Sequence, residues 1–271
     1  MCSTARGRGI SLHIPKGLQL TLYAEHIMKT AIISDIHANI EALQAVMADS
    51  ESRNVDEIVC LGDVVGYGAN PNECVSLISK RCPVTILGNH DAAALGNLST
   101  EHFNIHAKVA IEWTAGHISK QSKAFLENLP LAKTAGDRTY VHATPYEPRM
   151  WYYITSLEEA AFNFQFFSTP VCFVGHTHIP IIIVLDRDKE LFVHQEEQVR
   201  FEAFPDARFL INVGSVGQPR DHNPDACYGI LDSNTGIFSL HRVKYEIAKA
   251  QAKMKKIKMP DFLVQRLQEG R

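Results

Sequence analysis

The stretch Ile58-Val59-Cys60-Leu61-Gly62-Asp63 reads as a strand covered on both faces, with a carboxylate where it stops. Four more apolar runs end in the same way. They are Ala31-Ile32-Ile33-Ser34-Asp35-Ile36-His37, Val84-Thr85-Ile86-Leu87-Gly88-Asn89-His90-Asp91, Thr139-Tyr140-Val141-His142 and Val171-Cys172-Phe173-Val174-Gly175-His176-Thr177-His178. Each delivers Asp, Asn or His at its carboxyl end. In an open α/β sheet, ligands gather in the crevice outside the strand carboxyl ends. Five such deliveries exceed what packing alone requires.

The first three runs alternate with helical spacing. Ile40, Leu43, Val46 and Met47 share one stripe of a helix over 39–52, with Asn39 as its N-cap. A loop follows Asp63 through Gly66-Tyr67-Gly68, and Pro71 then opens a helix to Lys80. This alternation predicts parallel pairing. A helical stretch over about 91–129 turns Ile111, Ile118 and Phe125 inward. From Arg138 short strands dominate: 139–142, 171–174, 181–185, 191–194, 209–213, 227–231 and 237–243. One helix interrupts them at about 157–166, and Asp232-Ser233-Asn234-Thr235-Gly236 reads as a hairpin turn. Helices over 245–258 and 261–268 close the chain. The run Lys253, Lys255, Lys256 and Lys258 is expected to be a solvated face.

Residues 1–27 differ in character from the rest. They lack the compact apolar core and small-residue cleavage site of a secretory signal. They are expected to be an extension before a start at Met28-Lys29-Thr30, leaving residues 28–271 as one domain. A net charge of −3 gives no reason to expect nucleic acid or a membrane as partner. No apolar run approaches the ~18–20 residues that span a bilayer. The six Cys include no C-x-x-C pair, and Cys60 and Cys172 lie inside strand runs, where a reduced thiol packs as a small hydrophobe. A cytoplasmic location is therefore expected.

The residues collected at the strand ends are Asp35, His37, Asp63, Asn89, His142, His176 and His178: two carboxylates, one amide oxygen and four imidazoles. Such donors suit Mn, Fe, Zn or Co, and the lack of thiolate argues against a structural zinc. Seven ligands exceed the needs of one ion but match two ions sharing a carboxylate. Such a pair lies roughly 3.5–4 Å apart and can activate water for attack on phosphorus.

The blocks Asp35-x-His37, Gly62-Asp63, Gly88-Asn89-His90-Asp91, the lone His142 and Gly175-His176-Thr177-His178 together resemble the calcineurin-like metallophosphoesterases. They stand in that family's order and cover about 29–243. The resemblance implies an α/β fold: a four-layer αββα sandwich of two mixed sheets, with a dinuclear metal site at the strand carboxyl ends. It assigns Asp35, His37 and His178 to a first ion and Asn89, His142 and His176 to a second, with Asp63 bridging. It gives His90 a catalytic part as an imidazolium that stabilises charge or protonates the leaving oxygen. Asp91 would either orient that ring or cap the helix that follows.

Where the protein Ser/Thr phosphatases and symmetrical dinucleoside tetraphosphatases carry Asp-Arg-Gly after Gly-Asp, this chain has Gly66-Tyr67-Gly68. The block Asn212-Val213-Gly214-Ser215-Val216-Gly217-Gln218-Pro219-Arg220-Asp221 resembles instead the small prokaryotic phosphodiesterase branch. There Arg220 would bind phosphate or form a structural salt bridge, and Asn39 would sit near the phosphate or serve only as N-cap. The expected protein is a phosphodiesterase or phosphatase whose dimetal-bound hydroxide attacks a small phosphate ester or nucleotide. Manganese is the expected ion, with Fe, Zn, Ni, Co and Mg as alternatives. A nucleotide-directed hydrolase, such as a dinucleoside polyphosphatase or cyclic-nucleotide phosphodiesterase, and a catalytically silent scaffold are the rival readings. The substrate pocket is expected among the loops after Gly66, around 149–153 and near Arg220. Trp151, Tyr152 and Tyr153 are expected between the sheets, with stacking on a base or sugar as the alternative.

Overall fold

The structure, a computed structural model, describes residues 28–271. The expected extension over 1–27 lies outside the described residues. The chain runs β1 (Lys29–Ile33), α1 (Ile40–Ser52), β2 (Glu57–Cys60), α2 (Pro71–Arg81), β3 (Val84–Thr85), α3 (Asn89–Ala94), α4 (Ile105–His117), α5 (Lys120–Glu127), β4 (Ala132–Ala135), β5 (Arg138–Val141), α6 (Leu157–Asn163), β6 (Val171–Val174), β7 (Ile181–Leu185), β8 (Leu191–His194), β9 (Gln198–Arg200), β10 (Arg208–Asn212), β11 (Ala226–Asp232), β12 (Ile237–Val243), α7 (Ile247–Lys256) and α8 (Asp261–Glu269). Among the described residues, no helix is long and apolar enough to cross a membrane.

Two six-stranded sheets form, in the orders β3-β2-β1-β11-β12-β9 and β4-β5-β6-β10-β7-β8. In the first, β1, β2 and β3 are parallel, as their helical connections require. In the second, β5, β6 and β10 are parallel. The remaining pairs are antiparallel, so both sheets are mixed.

Side-chain alternation builds the layers. Ile32, Val59 and Leu61 of the first sheet face Tyr140, Val171, Phe173, Phe209 and Ile211 of the second, forming one buried core between the sheets. The intervening positions Ala31, Ile33 and Cys60 face outward and pack under Leu43 and Val46 of α1 and Val75 and Ile78 of α2. On the far side, Cys172, Val174 and Leu210 pack under Ala160 of α6 and under Phe164 and Phe167. The result is the αββα order of layers. The five described cysteines are free and buried.

Several boundaries differ from the sequence expectation. The stretch over 91–129 breaks into three helices, with a loop from Leu95 to Asn104. β3 is only two residues long because its chain leaves the sheet early toward Gly88. β4 and β9 have no counterpart in the predicted strands. The lysine run is not wholly a solvated face: Lys253 pairs with the buried Glu41 at 2.6 Å and docks α7 on α1.

Phe173 tests the inter-sheet core. Its ring is fully buried and packs on Phe238 with centroids 5.5 Å apart. Phe173→Ala is expected to cost about 3–5 kcal/mol in urea denaturation followed by circular dichroism; a loss under ~1 kcal/mol would contradict the packing described.

Candidate metal centre

The parallel strands of both sheets end at one seam, and their loops carry the polar residues. Asp35 and His37 follow β1, Asp63 follows β2, and Asn89 and His90 open α3. His142 follows β5, and His176 and His178 follow β6. All eight side chains are buried. His178 Nε2 lies 3.3 Å and His37 Nε2 lies 3.8 Å from Asp35 Oδ1. His37 Nε2 and His142 Nε2 stand 3.6 Å and 3.4 Å from Asp63 Oδ2. His142 Nε2 is 3.1 Å from Asn89 Oδ1.

Backbone strain accompanies this convergence. Asp35, His37, Asp63, His176 and His178 all adopt left-handed φ values, between 48° and 68°. Such conformations are costly for residues with a Cβ and persist where the surroundings over-determine them. Two glycines make the close approach feasible. A Cβ at Gly88 would collide with the Asp63 carboxylate, and one at Gly175 with Ser34 Oγ and the Asp35 carboxylate.

Backbone carbonyls orient three of the imidazoles. His37 Nδ1 faces Val65 O at 3.2 Å, His142 Nδ1 faces Leu61 O at 2.9 Å, and His178 Nδ1 faces Gln218 O at 2.6 Å. A ring nitrogen against a carbonyl carries the proton, so Nε2 is turned toward the centre, as in second-shell support of metal ligands. His176 is reversed: its Nε2 faces the Trp151 carbonyl at 3.0 Å. The loop after β10 braces the seam, since Ser215 Oγ donates to Asp35 O and the Gly217 N–H donates to the same oxygen.

The donor set fits divalent ions on grounds internal to the structure. Asp35 Oδ1 is buried and has no hydrogen-bond partner among the described residues. His37 Nε2 and His178 Nε2 face each other at 3.0 Å, and two lone pairs at that distance repel unless a cation or proton lies between them. Three groups of side chains have ligand atoms within 4.8 Å of one another: Asp35, His37 and His178; Asp63, His142 and His176; and His37, Asp63 and His90.

Protonation follows from burial and from the two carboxylates. Burial pushes His37 and His178 well below the ordinary imidazole range, His176 down to about 3 and His90 to about 4. Burial also opposes a charge on His142, but the Asp63 carboxylate outweighs it and raises the ring to about 9. Burial lifts Asp35 to about 6, against the pull of His142. Burial acts on Asp63 as well, yet His142 and His90 hold it well below the usual carboxylate range.

A profile of the calcineurin-like phosphoesterase superfamily domain matches residues 28–236. The chain belongs to that superfamily. An uncharacterized protein of Methanocaldococcus jannaschii is 41% identical over 246 residues, covering 89% of this chain and 98% of that protein. The crystal structure of a metallophosphoesterase from Sphaerobacter thermophilus is 41% identical, with a TM-score of 0.79 over 90% of this chain and 99% of that one. A hypothetical protein from Pyrococcus horikoshii shares the fold with a TM-score of 0.73 at 16% identity over the same shares.

Four more residues selected from the sequence lie around this centre. Burial pushes the His90 ring down to about 4, and its Nδ1 is buried without a hydrogen-bond partner among the described residues. Of its two expected roles Asp91 takes the cap: its oxygens accept the Val65 and Gly88 N–H groups at 3.0 and 3.1 Å, which holds the loop after Asp63 and the start of α3. Asn39 is the expected N-cap of α1, accepting from Ala42 N–H, and also donates to Gly217 O. Arg220 forms no salt bridge among the described residues; it donates to Gln218 Oε1 at 3.0 Å and Tyr67 Oη at 3.4 Å.

Tyr67 escaped the sequence reading. Its ring packs on His37 and His90, with centroids at 4.6 and 4.5 Å. An aromatic residue between two glycines in a strand-end loop was the available signal. Trp151, Tyr152 and Tyr153 do not fill the space between the sheets. Trp151 is half-buried, while Tyr152 and Tyr153 are 45% and 52% exposed beside the centre.

At pH 7 His142 holds a proton that a metal ion must displace. Calorimetric titration of metal into apo-protein, in buffers of different ionisation enthalpy, should show release of about one proton per chain. Affinity should fall as the pH drops, and more steeply below about 6, where Asp35 also protonates. Binding without proton release would contradict this picture.

Proposed function

We propose that the chain hydrolyses small phosphate esters, as a metal-dependent phosphodiesterase or phosphatase. The observation that carries the reading is the set of buried acceptors without donors, Asp35 Oδ1 and the facing Nε2 atoms of His37 and His178. Asp35, His37 and His178 are assigned to one ion, Asn89, His142 and His176 to a second, and Asp63 to both. Manganese suits the hard oxygens and borderline nitrogens. Divalent ions there supply Lewis acidity to the phosphoryl oxygens and to the attacking water. The superfamily match supports the reaction class, as does the Sphaerobacter thermophilus metallophosphoesterase at 41% identity.

The chain's own groups take the remaining work. The Arg220 guanidinium has no carboxylate competing for it, and its planar fork suits phosphate oxygens. Because Arg220 donates to the Tyr67 hydroxyl oxygen, the Tyr67 proton stays available for a phosphate oxygen. His90 packs on the Tyr67 ring, with its Nδ1 buried and free of any hydrogen-bond partner among the described residues. A phosphate bound beside it would raise the ring's affinity for a proton; the ring would take that proton from solvent and give it to the leaving oxygen, while the attacking water releases its own proton to solvent. Water attacks phosphorus in line, and no covalent enzyme intermediate is invoked.

With Mn²⁺ and bis(p-nitrophenyl) phosphate, Asp63→Asn is expected to lower turnover by at least ~10³-fold while the circular dichroism spectrum is kept. Wild-type turnover in that variant would refute the shared-ligand role. Arg220→Ala is expected to lower kcat/KM by about 10²-fold at unchanged metal content, measured by elemental analysis. Loss of metal in this variant would show instead that Arg220 supports the centre itself.

A further inference from the structure

A cleft of about 450 Å³ opens from Asn89, His90 and His176 toward solvent. Two loops wall it: 98–104, which leads into α4, and 150–153, after β5. None of its described lining residues is Asp, Glu, Lys or Arg. Rings dominate instead. Phe103 packs on His90 with centroids 5.3 Å apart, and Trp151 stands edge-on to His142 at 6.0 Å. Tyr153 stacks on His176 at 4.0 Å. Glu147 and Trp151 both hold left-handed φ values, 41° and 56°, so the second loop is kept in a strained shape where it meets the cleft. Ser99, His102 and Asn104 add polar atoms to the lining.

We propose that this cleft is a subsite for a flat, uncharged ring carried by the phosphate ester, with Phe103 and Tyr153 as its specificity-determining residues. The proposal rests on the phosphoesterase reading, because the cleft begins at residues assigned to the metal centre. Its volume falls within the range of sites that enclose a small organic ligand. A lining without Lys or Arg disfavours a polyphosphate chain, whose further charges would lose water without gaining such partners. Aromatic walls gain energy from any flat π-face laid against them. The polar lining atoms can bond ring heteroatoms. The shared chemistry thus has two sources, a nucleoside ester or a simple aryl ester.

Tryptophan fluorescence separates ring binding from turnover. The chain has two Trp, so Trp113→Phe leaves Trp151 as the reporter. If that variant fails to fold, 5-fluorotryptophan labelling of the otherwise native chain reads the same site by ¹⁹F resonance. Adenosine is expected to quench Trp151 saturably, whereas ribose does not. Phe103→Ala and Tyr153→Ala should each weaken the effect about tenfold. Tighter binding of adenosine than of phenol identifies a nucleoside ester, and equal binding identifies an aryl ester. Absence of saturable response to both rings, or affinity unchanged in both alanine variants, overturns the subsite. Hydrolysis of methyl phosphate esters, which carry no ring, tests the phosphoesterase reading separately, so each can fail without the other.

Discussion

The rest of the structure depends on the fully buried carboxylate of Asp63. A charge removed from water is costly unless hydrogen bonds and opposite charge replace the solvent. Here the His90 N–H donates to Oδ1 at 2.8 Å, and the His142 and His37 rings face Oδ2. The same carboxylate raises His142 and helps keep Asp35 protonated to about pH 6. Asp63 thus keeps His142 charged, while burial keeps His37, His90 and His176 neutral.

Strands of both sheets surround that carboxylate: His37 and His90 come from loops of the first sheet, His142 and His176 from loops of the second. The parallel strands, on one side of the first sheet and in the middle of the second, share a carboxyl edge, and the inter-sheet core around Phe173 and Leu61 fixes the two edges against each other. The loops then turn sharply through left-handed conformations at five of the polar residues. Part of the stability gained in the layers is held as strain at the seam. Asp91 belongs to this scaffold, since it fastens the loop after Asp63 to the start of α3.

Much of this was legible in the sequence because two periodicities coincide there. Unbroken apolar runs mark strands buried on both sides, and each run that ends in a donor also ends in a strand that reaches the seam. Those runs and the helices between them announced the parallel units, and the resemblance their end residues carry implied the four layers. What escaped has physical causes. β4 is Ala132–Ala135, whose residues are all exposed, so no apolar alternation announces it. β9 is three residues long. Asp91 offered two roles from one residue type, and only the loop geometry shows which amides it meets. The loop over 98–104 approaches His90 through tertiary packing of α4, which no local pattern encodes. Tyr152 and Tyr153 looked like core residues by composition, yet the strained loop before them turns them outward beside the site.

The central claim is that Asp63 holds two cations together in this buried seam. Electron paramagnetic resonance of protein loaded with two equivalents of Mn²⁺ tests it most directly, because ions sharing a carboxylate at roughly 3.5–4 Å are magnetically coupled. The account predicts an exchange-coupled multiline spectrum in the wild-type chain and its loss in Asp63→Asn. An isolated-ion six-line spectrum from the wild-type protein at full loading would contradict it.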